Sequence, residues 1–160
     1  MLTQDIVTNN RSEKTALLFE AETLSYEDLD KLSNQFAHFF QARGILKGDR
    51  VSFISLNDSM LVAGYFGAFK AGAIANPINN RLTPAELAYI LNHAESKCIV
   101  ISADFIEVLT NTLGLLKHQP EILVIRAPEI LGIDAYYDRD IQDSSTDALA
   151  IAGLSPEDGA

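Results

Sequence analysis

A single cysteine among 160 residues excludes an intramolecular disulfide framework. Basic residues are scarce as well: 12 Lys and Arg stand against 22 Asp and Glu, a formal charge of −10. Nucleic acids and anionic membranes reward basic patches, so neither is an expected partner. No apolar run approaches the roughly 18 residues of a membrane-spanning helix, and no charged-then-apolar leader opens the chain. A cytoplasmic protein is therefore expected. Standard catalytic signatures are missing too, with no G-x-x-x-x-G-K-[ST] phosphate loop, no G-x-G-x-x-G turn and no G-x-S-x-G elbow. His38, His93 and His118 lie far apart without partners at ligand spacing, so no metal site is expected.

What is present describes an ordinary soluble domain, 48% apolar and 21% charged. A chain of this length buries roughly 68–70% of its unfolded surface, enough for a core. The charge is uneven. Residues 127–160 hold eight acids and one base, Arg139, which leaves the preceding body nearly neutral. Three stretches follow: a loosely attached lead-in over 1–14, a body over 15–126, and an acidic tail over 127–160.

Within the body, TALLFE and ETLSY read as an N-terminal β-hairpin. Ser25 then looks like the cap of a helix over 26–42, with Leu29, Leu32, Phe36, Phe39 and Phe40 on its apolar face and Gly44 past its end. RVSFISL is a β-prone strand, and Asn57, Asp58 and Ser59 supply capping oxygens for a helix from Met60 to Lys70. That helix is apolar nearly all round (Met60, Leu61, Val62, Tyr65, Phe66, Phe69), which predicts burial between layers. Gly64 and Gly67 weaken it by about 1 kcal/mol each relative to alanine, so their expected purpose is close approach of another backbone.

AIANPIN is a short strand that Pro77 ends or places at an edge. Thr83-Pro84-Ala85-Glu86 is a helix start with a capping box. KCIVISA and EILVIR are further strands; Asp104 and Glu107 repeat the capping pattern before a helix carrying Ile106, Leu109, Leu113 and Leu116. Strands alternating with helices define an α/β fold with a largely parallel sheet. After Arg126 the periodicity fades, with a short turn expected near Ile141 to Gly153. Cys98 reads as a buried strand residue and the carboxylates as solvated surface.

Arg81 stands apart. It falls in a polar loop between a strand and a helix N-terminus, where α/β sheets collect ligands. A guanidinium there can clamp a phosphate beside free backbone N–H groups, or serve as a surface arginine or salt bridge.

The run T-L-S-Y-x-D-L, then G-x-x-x-G-D-R-V, K-A-G-A and P-x-N-x-R-L-T-x-x-E-L-x-Y-I-L, resembles the N-terminal part of AMP-forming acyl-CoA synthetases. This adenylate-forming superfamily also includes firefly luciferase, aryl-CoA ligases and peptide-synthetase adenylation domains. The resemblance covers about residues 15–126, and N-x-R-L-T is more similar to the acyl-CoA and aryl-CoA ligases than to luciferases. It implies a carboxylic acid substrate, fatty or aromatic, activated by ATP to an acyl-adenylate and passed to coenzyme A. ATP, Mg2+ and CoA are implied for the full-length enzyme, with no cofactor for this stretch alone.

In such enzymes a loop of the form T-S-G-T-T-G-x-P-K-G follows sequence much like LSPEDGA, where this chain ends. No catalytic residue can therefore be carried over, and the chain is expected to be an inactive N-terminal fragment whose partner is the remainder of the parent enzyme. Arg81 alone takes a family role, contacting the phosphates of CoA. The alternative is a stand-alone binding or assembly module, a homodimer packing through the helix around Phe66 and Phe69.

Overall fold

A computed structural model describing residues 2–127, 131–150 and 154 shows a two-stranded antiparallel hairpin beside a five-stranded parallel sheet. Strands β1 (Thr15–Phe19) and β2 (Glu22–Ser25) form the hairpin, turning at Glu20 with a left-handed φ of 51°. The sheet is built from β3 (Arg50–Ile54), β4 (Ile74–Pro77), β5 (Cys98–Ser102), β6 (Glu121–Ile125) and β7 (Tyr136–Tyr137), in the order β4-β3-β5-β6-β7. Pro77, which has no N–H for a ladder, closes edge strand β4.

Two cores flank the sheet. Along β5 the side chains alternate, so Cys98 and Val100 enter one core while Ile99 and Ile101 enter the other. A central parallel strand covered on both faces reads as an unbroken apolar run, as CIVIS does. The first core is closed by helices α2 (Tyr26–Ala42) and α3 (Ser59–Lys70), the second by α4 (Pro84–Ala94) and α5 (Ile106–Leu113). Capping boxes at Ser25/Asp28 and Thr83/Glu86 fix where α2 and α4 begin, and Asp58 caps α3.

The expectation of an all-round buried α3 is corrected. Its small face, Ala63, Gly64, Gly67 and Ala68, is the buried one, while Phe66 and Phe69 are only half-buried. A Cβ on Gly67 would meet Phe36 Cβ and lie 3.0 Å from the Ser33 carbonyl, so glycine is what lets α3 sit against α2. The start of α5 is corrected as well. One turn of 3₁₀ helix, Ala103–Phe105, precedes it, and Phe105 occupies the cap position without a side-chain bond.

The lead-in is packed rather than loose: it contains α1 (Asp5–Thr8), whose Val7 is fully buried in the first core. Beyond Arg126 regular structure continues in β7 and α6 (Asp138–Gln142), which ends in the expected turn region; residues 151–153 of that turn lie outside the described residues. Aromatic contacts hold β7, with Tyr136 edge-on to Phe39 at 5.3 Å and under the Arg43 guanidinium at 3.9 Å.

The stretch after α6 lies along α2. Asn34 Nδ2 donates to the Thr146 carbonyl at 2.8 Å, Gln35 Nε2 to those of Gln142 and Ser144 at 3.0 and 3.3 Å, and His38 Nε2 to that of Asp147 at 3.0 Å.

Candidate functional site

Strands β4 and β5 lie on opposite sides of β3, so the strand order reverses there, and the crevice outside the carboxyl ends of such strands is where open α/β sheets bind ligands. Loops after β3, β4, β5 and β6 meet along this edge. The Ile78 N–H donates to the Phe53 carbonyl at 2.9 Å, extending the ladder past Pro77. Asn80 Nδ2 reaches the Ser55 carbonyl at 3.3 Å and ties the β4–α4 loop to the β3–α3 loop. Asn79 Oδ1 accepts from the Arg81 N–H at 2.9 Å, a side-chain turn that sets the chain up for the Thr83 cap.

Arg81 is thus fixed through its backbone, while its side chain is exposed and makes no hydrogen bond or ion pair among the described residues. Of the roles read from sequence, the salt bridge is not formed there. Beside it, Asn80, Pro84, Asp104, Phe105, Glu107 and Asn111 line a cleft of about 330 Å³. The hydroxyls of Ser55 and Ser102, at the ends of neighbouring strands β3 and β5, are buried without a partner among the described residues.

A second cation at this edge has no counterpart in the sequence reading. Arg126 follows β6 with a left-handed φ of 58° and forms a two-pronged bond to Glu22, Nη1 to Oε1 at 2.7 Å and Nη2 to Oε2 at 2.9 Å. It also meets Asp58 Oδ2 at 3.3 Å and donates to Ser59 Oγ at 2.8 Å. The guanidinium and the Ser59 hydroxyl hold Glu22 down at about 2, and the same bonds push Arg126 up. Burial raises Asp138, whose carboxylate accepts the Arg126 N–H. No local pattern joins Glu22 to Arg126. The signal is tertiary.

The expectation that carboxylates lie on the surface is overturned by Asp30. It is 2% exposed and lies 2.7 Å from the Lys70 ammonium, which is itself 6% exposed. Lys70 also donates to the Asp30 carbonyl at 3.2 Å and to Asn34 Oδ1 at 2.7 Å, so its three N–H groups are satisfied. Burial lowers the lysine against the opposing pull of Asp30. Thr8 Oγ1 donates to Asp30 at 3.0 Å, linking α1 to the pair. The arrangement joins helices and presents no spare donor.

The histidines remain apart: His38 on the Asp147 carbonyl, His93 stacked on Tyr89, and His118 on the Ser96 carbonyl at 2.9 Å. Among the described residues no three His, Cys, Asp or Glu side chains gather as a metal site. Cys98 is buried, and desolvation pushes its thiol far up, away from nucleophilic use. No helix of the described residues is long and apolar enough to cross a membrane.

The sequence matches the AMP-binding enzyme family over residues 4–159. It is 31% identical over 130 residues to a 3-hydroxybenzoate/4-hydroxybenzoate–CoA ligase of Thauera aromatica, covering 79% of this chain and 25% of that protein. A crotonobetaine/carnitine–CoA ligase of Citrobacter koseri is 39% identical over 114 residues, 66% of this chain and 22% of the relative. The fold superposes on the anthranilate–CoA ligase AuaEII, solved with anthranoyl-AMP, with a TM-score of 0.86 at 26% identity, covering 94% of this chain and 30% of that one. The chain spans only 22–30% of the length of these proteins.

Proposed function

The chain belongs to the AMP-binding enzyme family, and we propose that it is the N-terminal part of an AMP-forming carboxylic acid:CoA ligase. In that reaction a carboxylate attacks the α-phosphorus of ATP, giving an acyl-adenylate and pyrophosphate. The CoA thiol then takes the acyl group and AMP leaves. The observation that carries the reading is the match over residues 4–159, in which the relatives named above are CoA ligases of varied acids.

Within this chain Arg81 is the residue assigned to CoA, holding its phosphates. Support comes from its place at the carboxyl edge and from a guanidinium left without an ion pair among the described residues. A rigid backbone anchor with an uncommitted fork suits a flexible phosphate. ATP and Mg2+ are assigned to the remainder of the enzyme, so these 160 residues alone catalyse neither half-reaction.

Two measurements test this. ATP–pyrophosphate exchange over fatty and aromatic acids should stay at background for the chain alone, and turnover would overturn its inactivity. In the ligase carrying this segment, Arg81→Ala should weaken CoA use roughly tenfold and leave adenylate formation intact. Equal loss of both half-reactions would make the arginine structural.

A further inference from the structure

The stretch after α6 crosses α2 as a strap, and one of its three anchors differs in kind from the others. Gln35 and His38 hold it from half-buried positions, whereas Asn34 is 2% exposed and divides its amide between two elements. Asn34 Oδ1 accepts from the Lys70 ammonium at 2.7 Å, and its Nδ2 donates to the Thr146 carbonyl at 2.8 Å. A carboxamide has one accepting end and one donating end, and an ammonium can only donate. Lys70 therefore dictates which end of Asn34 faces the helix pair, and the N–H end is left to the strap. Turned over, the amide would set N–H against N–H at Lys70 and oxygen against oxygen at Thr146.

Lys70 is held in turn by Asp30 at 2.7 Å, and Asp30 also accepts from Thr8 Oγ1 of α1 at 3.0 Å. The strap covers the same group. Leu149 packs against the first core, and Ala148, Leu149, Ala150 and Leu154 close over Lys70 and Asn34 around a space of about 330 Å³. The ion pair thus lies beneath the strap, and the most buried of the strap's anchors leans on the ion pair. A buried pair that adds little net stability can still select one conformation.

We infer that the Asp30–Lys70 pair and the strap form a reciprocal latch: the pair aims the Asn34 amide that anchors the strap, and the strap keeps water from the pair. Without the cation, Oδ1 is buried and unsatisfied, so Asn34 gains by turning to water and releasing Thr146. Without the strap, Lys70 opens to solvent. Such coupling has the same size in both directions, so each half reports on the other.

The latch is tested from both ends on the 160-residue chain, with the fold of each variant checked by circular dichroism. Asp30→Leu with Lys70→Met replaces the pair by apolar side chains and removes no hydrogen bond of the strap itself. Proteinase K should then cut within residues 142–150 roughly fivefold faster than in the native chain. Gln35→Ala with His38→Ala loosens the strap without touching the pair. Acetylation of Lys70 by an amine-reactive ester, read by peptide mass spectrometry, should rise roughly fivefold in that variant. Cys98, buried in β5, is the internal control, since a thiol reagent reaches it only when the sheet opens. Unchanged cutting in the first variant would mean that Asn34 keeps its orientation without Lys70. Unchanged Lys70 acetylation in the second would mean that the strap does not shield the pair. Either result overturns the latch, as does a rise in Lys70 acetylation matched by an equal rise at Cys98, which is general loosening.

Discussion

Lys70 on α3 and Asp30 on α2 form an ion pair of 2.7 Å with both side chains almost wholly removed from water. Such a pair is weak evidence for net stability, because desolvating two charges offsets their attraction. Losing one partner is another matter. Lys70→Met should destabilise the fold by about 3–5 kcal/mol, since buried Asp30 then keeps only the more distant Arg11 guanidinium, at 3.8 Å, as a counter-charge. Urea unfolding measures this, and the double change Asp30→Leu with Lys70→Met should recover most of the loss. A single change costing less than about 1 kcal/mol would show that water reaches Asp30.

Acid should weaken the tie between the hairpin and Arg126. Glu22 is depressed from 4.5 to about 2 in the fold, chiefly by Arg126, so its contribution is present in full above about pH 4.5. It is lost as pH falls from there towards 2, where the folded-state carboxylate takes up its proton. Asp138, raised by burial, acts with the opposite sign. Unfolding free energies followed from about pH 5 down to about pH 2 should therefore fall less steeply in Glu22→Gln than in the native chain. Parallel slopes would mean that the Arg126 bond does not persist in solution.

Gly67→Ala should cost about 1–3 kcal/mol despite alanine's better helix propensity, because the added methyl meets Phe36 and the Ser33 carbonyl at the α2–α3 contact. Gly114 is the control. It has helical φ and nothing within 4 Å of where a methyl would project, so Gly114→Ala should be neutral or stabilising by up to about 1 kcal/mol. Thermal melts of the two variants should separate in opposite directions.

Thr83→Ala removes the cap of α4 and should lower stability by about 0.5–2 kcal/mol. Hydrogen exchange should place the loss in the first turn of α4, whose Glu86 N–H bonds the threonine hydroxyl. An even loss across the chain would instead assign Thr83 a global packing role.

The features legible in sequence are those written in neighbouring residues. The hairpin at Glu20, the cap at Ser25, the capping box of Thr83, the edge position of Pro77 and the close packing of Gly67 all follow from local chemistry. The helix from Met60 misleads through its large residues, because hydrophobicity points to Phe66 and Phe69 while Ala63, Gly64, Gly67 and Ala68 make the contact. Lys70 with Asp30 and Arg126 with Glu22 leave no trace in the sequence, since each joins residues tens of positions apart and neither carries a pattern of its own. Strand β7 is hidden for the opposite reason. Two residues are too few for periodicity, and aromatic contacts with Phe39 and Arg43 hold it. For the candidate site, the loop and Arg81 can be named from sequence, but the cleft lined by Asn80, Asp104 and Asn111 needs the helices to be placed.

The grip of α2 on residues 142–147 reaches only main-chain carbonyls. Every peptide offers the same oxygen, so the anchor specifies a path and is indifferent to spelling. Substitutions at Asp143 or Asp147 should drift freely so long as Asn34, Gln35 and His38 remain, and the hydrated acids exposed there are what such a tolerance permits. A stretch that looks unconstrained letter by letter is thereby held in place by two amides and an imidazole on another helix.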